Sequence, residues 1–251
     1  GNTMSHWGWH SFPLPAEWTK DRVPDTGTFQ QGRLTGPDEF PKDMDPLRNW
    51  MFDNPHRMNL GRLQLCDDDG KPVAAKELSA INRKMDLWTG ILTSRYEIYC
   101  APVCVETCVH PSLDAVAVRI VSPLVARGKL KVALDFPYPA LRNTAWVGDF
   151  EHTGGHTTEM KAAGKLQARI SRTVDETSYQ VGLSWSKGSA LQADRRPHRY
   201  LLTAAPAANC LEFLCVFTAE NLPEDLPSVD EVFSQASTHW SNFWRSGQQV
   251  T

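Results

Sequence analysis

No stretch of this sequence stays apolar for the ~18–20 residues that a bilayer-spanning helix needs, so none is expected. Cysteine is sparse. Cys66, Cys100, Cys104, Cys108, Cys210 and Cys215 are spread through 251 residues, far more thinly than in a disulfide scaffold. Charge of one sign is also lacking: 26 Lys and Arg stand against 29 Asp and Glu, for a net charge of -3. That balance argues against a sequence-independent nucleic-acid binder, which needs clustered cations. There is no N-x-[ST] sequon, internal repeat or low-complexity tract, and no secretory signal is visible at the N-terminus. The motifs G-x-S-x-G, H-E-x-x-H, the P-loop and G-x-G-x-x-G are missing as well.

Aromatics, by contrast, are abundant. Nine Trp, ten Phe and five Tyr are too many for a disordered chain and enough for a packed core. Residues 1–57 are rich in Trp, Pro, Asp and Gly without a sustained period, which predicts an ordered loop region wrapping the domain. Beyond Met58 the pattern turns to period two. In Val103-Cys104-Val105-Glu106-Thr107-Cys108-Val109-His110, the Val and Thr positions share one face and the Cys, Glu and His positions the other. Further strands are predicted over residues 87–99, 115–121, 129–136, 146–152, 166–173, 179–185, 200–204 and 210–218. A hairpin connection is expected at Cys100-Ala101-Pro102, and a short helix around residues 73–81. Short strands without intervening helices predict an all-β, antiparallel sandwich.

One long helix is predicted. Ser228 followed by Glu231 forms a capping box. Val229, Val232, Phe233, Ala236, Trp240, Phe243 and Trp244 recur at helical spacing, and Gly247 supplies the stop. The expected division is a sandwich over residues 1–226 and a linker helix over 227–251.

Candidate chemistry is thin. Cys104 and Cys108 share a strand face but lie ~13 Å apart, too far for one metal ion, so buried apolar thiols are expected there. His152 and His156 with Glu159 are separated by Gly154-Gly155 and read as a hairpin tip. Carboxylates that could pair for glycoside chemistry (Glu17, Asp21, Asp38, Glu39, Asp43, Asp45) are plentiful, but no spacing selects two of them. Arg195-Arg196 with His198 and Arg199 reads as a solvated rim. The Trp-rich opening is the better candidate. Trp7, Trp9 and Trp18, with His10, could stack on sugar faces, or else anchor the loop. No catalytic residue, metal or cofactor is expected.

Three segments resemble a known group. They are Leu87-Trp88-Thr89-Gly90 continuing to Val103-x-Val105-Glu106-Thr107-x-Val109-His110-Pro111-x-x-Asp114, the opening Ser5-His6-Trp7-Gly8-Trp9-His10, and His239-Trp240-x-x-Phe243-Trp244-x-Ser246-Gly247. Together they are similar to the N-terminal sandwich of bacterial six-hairpin glycosidases, the group related to maltose and kojibiose phosphorylases and α-fucosidases. The resemblance implies a supersandwich of the galactose-mutarotase type. It also implies an (α/α)6 catalytic barrel in the same parent chain, with Trp240, Phe243 and Trp244 facing it, and an oligo- or polysaccharide as ligand. The family's catalytic carboxylates lie in that barrel, and none is matched here. Cys100 stands where a turn Gly would be expected. A parent acting on polysaccharide would fit a periplasmic or secreted address. The rival expectations are an autonomous carbohydrate-binding module and a mutarotase-like enzyme using His110 and Glu106, although these two should lie ~13 Å apart on one strand.

Overall fold

Period-two alternation marks many of the antiparallel strands, here numbered in chain order. The computed structural model describes residues 1–19, 27–30, 33–37, 45–140 and 147–247. Five strands form the smaller sheet: β1 (Asn2–Thr3), β6 (Gly61–Cys66), β11 (Lys131–Asp135), β15 (Ala190–Ala193) and β16 (Arg199–Thr203), in the order β1-β6-β11-β16-β15. Eight form the larger: β7 (Leu78–Asp86), β8 (Ile91–Ile98), β9 (Ala101–Val109), β10 (Ala115–Val121), β12 (His156–Ala162), β13 (Gln167–Val174), β14 (Thr177–Trp185) and β17 (Cys210–Thr218). Their order is β12-β13-β14-β17-β10-β9-β8-β7. Two short pairs, β2 (Trp9–His10) with β5 (His56–Arg57) and β3 (Gly27–Gln30) with β4 (Arg33–Pro37), complete the strands among the described residues. Three helices, α1 (Asp45–Asp53), α2 (Pro123–Ala126) and α3 (Val229–Gly247), are also present.

The alternation on β9 shows how the layers stack. Val103 and Val105 enter the core between the sheets, with Ile120, Leu134, Ile170, Val181, Leu202 and Phe213. Cys108, on the opposite face, joins a second core beneath α3, with Ala117, Leu214, Val216, Val232, Phe233 and Ala236. The larger sheet is therefore covered by the smaller sheet on one face and by a helix on the other. Each fully buried aliphatic or aromatic side chain contributes ~1.5–3 kcal/mol. The capping box forms as expected: Glu231 N–H donates to Ser228 Oγ (3.2 Å), while Ser228 N–H donates to Glu231 Oε2 (2.6 Å).

Several sequence expectations need correction. The helix expected over residues 73–81 is a single 3₁₀ turn, Ala75–Glu77, followed at once by β7. β7 is the sheet's edge and is exposed along nearly its whole length, so it never needed an apolar face. The strand expected from residue 87 begins only at Ile91, because Leu87–Gly90 is a turn closed by Gly90 N–H to Asp86 O (2.8 Å), with Gly90 at φ 69°. The next hairpin turns at Tyr99 and Cys100, with Ile98 facing Ala101, and both turn residues have positive φ (52° and 61°). No strand spans 146–152: within its described part Asp149 makes one bridge to Tyr138, and Gly148 at φ 97° ends the extension. The opening region also holds α1, whose Pro46 sits in the first turn, where no N–H is needed.

The Arg195–Arg199 stretch is not a solvated rim throughout. Arg199 is buried and donates to Gly70 O (2.6 Å), Cys66 Sγ (3.1 Å) and Asp194. Arg196 bonds the buried Asp135. Burial pushes the Asp135 carboxyl above its ordinary range, and the two guanidinium groups pull against that.

Candidate functional site

The opening Trp-rich segment is fastened to a turn of the larger sheet. His110 shapes that turn: its Nδ1 accepts from the N–H groups of Ser112 (3.1 Å) and Leu113 (3.0 Å). Asp114, at the turn's end, then presents one carboxylate oxygen, Oδ2, to both Ser5 Oγ (2.6 Å) and Trp7 Nε1 (2.5 Å). Two of the resembling motifs thus meet directly. The Trp7 indole N–H is spent on this contact, and its ring packs near Tyr179.

Trp9 is 44% exposed, with Nε1 donating to His6 O (2.8 Å) and the Arg57 guanidinium 5.0 Å from its ring centre. His10 is buried, wedged between Asp175 (Nε2 to Oδ2, 2.8 Å) and His56 (Nδ1 to Nε2, 3.4 Å). Tyr138 O–H donates to the same Asp175 oxygen (2.8 Å). Burial lowers the pKa of His10 despite Asp175, and burial together with His10 lowers that of His56. Trp18 is half-buried, and its backbone N–H donates to Pro15 O (2.9 Å). Of the four residues expected to face sugar, Trp9 is the one with an open ring; His10 has no surface to offer.

The start of that same Leu87–Asp114 segment meets the third, at the end of α3. Ser241 Oγ donates to Trp88 O (2.9 Å) and Trp244 Nε1 to Leu87 O (2.6 Å). Gly90 lies against the Trp240 ring so closely that a Cβ there would overlap Cδ1 and Nε1. Trp240, Phe243 and Trp244 form one aromatic cluster, with ring centres 5.0–6.4 Å apart. Even so docked, Phe243 is 53% exposed and Trp88 48%, and Leu87 and Trp244 are exposed beside them.

The helix is anchored at its start by Arg119 on β10. Its guanidinium meets Glu212 (2.5 Å), Asp230 (2.7 Å) and Glu106 (3.6 Å), and lies 5.0 Å from the Phe233 ring centre. Glu106 and His110 are therefore each engaged in holding structure. The cleft between the sheets under β8–β10, about 680 Å³, is walled by Leu92, Tyr96, Val105, Val109, Val116 and Phe213. No carboxylate or imidazole among the described residues lines it.

Cys104 and Cys108 face the helix side and Cys100 the hairpin tip. Burial pushes the Cys108 thiol up to about 11. Among the described residues no group of three His, Cys, Asp or Glu is placed to hold a metal ion. Glu159 is exposed, whereas His156 is buried rather than at a loose tip. Glu17 is exposed. Asp21, Asp38, Glu39 and Asp43 lie outside the described residues, as does the Asp45 side chain.

No protein-family model and no curated protein matches the sequence. Among solved structures, the chain is similar to a putative kojibiose phosphorylase from the human microbiome, with 9% identity and a TM-score of 0.48 over 75% of this chain and 28% of that one. It is also similar to a bacterial glucoamylase complexed with acarbose, with 8% identity and a TM-score of 0.47 over 75% of this chain and 32% of that one. The chain thus spans about a third or less of either structure's length.

Sequence reasoning did not find Asp175, Tyr138 or His56. They meet around His10 only through long-range contacts, and no local spacing could have signalled it.

Proposed function

We propose that this chain is a non-catalytic β-sandwich module of a carbohydrate-active enzyme, a glycoside hydrolase or phosphorylase, and that it serves as a docking scaffold. The end of α3 and the β7–β8 hairpin pack against a helical (α/α)6 barrel of the same parent, and Trp9 is the ring left to contact a sugar. The observation that carries this reading is the apolar surface around the hairpin tip. Leu87, Trp88, Phe243 and Trp244 are all exposed and lie together where the turn meets the helix, although large contiguous apolar patches are uncommon on surfaces that face only water. The resemblance of the Leu87–Gly90 and His239–Gly247 segments to the glycosidase sandwich supports it, and those two segments are the ones in contact.

The test is turnover by the purified chain on α-linked disaccharides and starch oligosaccharides, with and without phosphate. No product is expected. Release of glucose or of a sugar phosphate would overturn the non-catalytic role. A sugar titration of tryptophan fluorescence separates the second reading: saturable quenching abolished by Trp9→Ala would favour an autonomous binding module.

A further inference from the structure

Arg172 on β13 is almost wholly buried, and its bond to His156 fixes the tautomer of that ring. Its Nη1 donates to His156 Nδ1 (2.8 Å) and to Thr158 Oγ1 (2.7 Å), and its Nη2 donates to Pro137 O (3.0 Å). A guanidinium has only donors, so His156 must offer a lone pair at Nδ1. Its one proton then sits on Nε2, which donates to His152 O (2.9 Å). His198 stands beside it: its Nδ1 pairs with the Thr158 hydroxyl (2.9 Å) and its Nε2 faces Thr153 O (3.2 Å). The two imidazole rings have centres 3.8 Å apart beside a permanent cation.

We propose that this cluster is an acid-released latch. Protonating His156 sets an Nδ1–H against the Arg172 guanidinium, donor to donor and cation to cation, and frees residues 137–140 and 147–155 from the larger sheet. The groups facing the two rings give a protonated pair little support. Arg172 from β13 repels it; Tyr138 and His152 pack alongside, and Tyr179 from β14 and Tyr200 from β16 bond Arg172 and the Thr158 carbonyl. The Thr153 carbonyl and Asp135 from β11 favour a cation at His198, and the His152 carbonyl favours one at His156. Burial first, and then Arg172, lowers the pKa of His156 to about 4; burial also lowers that of His198. The sign follows. The unfolded rings take protons near 6.5, so the stability held by the neutral latch is present above that pH and is lost as pH falls toward about 4. Tyr138 carries the release onward, because it bonds the Asp175 oxygen that also holds His10 of the N-terminal segment.

The test is an amide and histidine NMR titration of the whole chain from neutral pH down to about 4. The amides of Tyr138, Ala140 and 147–155 should move together with the His156 ring, while those of β10, β17 and α3 stay in place. In the double variant His156→Gln, His198→Gln, whose amides can accept and donate without titrating, the step should disappear. A His156 that titrates at or above 6.5, an unchanged step in the variant, or loss of the whole fold in the same step would overturn the latch. Should the variant not fold, the titration of His156 in the native chain still decides.

Discussion

Gly90 and Trp240, 150 positions apart in sequence, lie in direct contact, so that the hairpin turn after β7 seats the indole of α3 where any side chain on residue 90 would stand. Gly90 is doubly required: its φ of 69° is left-handed, and its missing Cβ makes room for the ring. Gly90→Ala should therefore cost about 2–4 kcal/mol, combining overpacking with left-handed strain. Urea unfolding should show the loss, and a red shift of tryptophan emission should accompany it. A change under about 0.5 kcal/mol would mean that α3 is not seated there.

Asp114 makes a second junction, between the opening segment and the His110 turn. Asp114→Ala removes one carboxylate that accepts from both Ser5 and Trp7. Hydrogen bonds to a charged group are worth about 1.5–3 kcal/mol, so a loss in that range is expected. Limited proteolysis should then cut within residues 1–12 while the sandwich core survives. Asp114→Asn, which keeps one acceptor oxygen, should cost less.

Arg119 and Asp230 should respond unequally. Asp230 is 84% exposed at its side chain, and such pairs contribute at most about 1 kcal/mol; Asp230→Asn should scarcely alter stability. Arg119→Met leaves Glu106 and Glu212 on neighbouring strands without their shared cation and should cost about 1–3 kcal/mol. Denaturation at low and high salt would show the difference, with the penalty of Arg119→Met smaller at high salt.

The Tyr99–Cys100 turn carries two left-handed residues where Asn-Gly would fit best. Cys100→Gly should raise stability by roughly 1 kcal/mol, measured as a shift in the urea midpoint at constant slope.

How much of this was legible in the sequence depended on what each element buries. β9 and α3 bury one face and leave the other, so Val103–Val109 alternated and Val232, Phe233 and Ala236 recurred visibly. β7 and β12 lie at the two edges of the large sheet. β7 is exposed on nearly its whole length and carries Asn82, Arg83 and Lys84, while the inward face of β12 holds the polar His156 and Thr158 with Met160, so no apolar period marked either. Charge suits an edge strand because it discourages pairing with another chain. The motif segments were readable one by one, but not that they meet in pairs, Trp7 with Asp114 and Trp240 with Gly90. The buried Arg172 was hidden for the same reason: its partners Pro137, His156 and Thr158 come from two separate stretches.

The proposed docking of the hairpin and α3 is tested most directly by hydrogen–deuterium exchange across residues 85–92 and 240–247, in this chain alone and in a longer parent polypeptide carrying a helical barrel. Slower exchange of both segments in the longer polypeptide, with β13 and β14 unchanged, is the predicted result. Equal exchange in the two would show that this apolar surface faces only water, and would contradict the account.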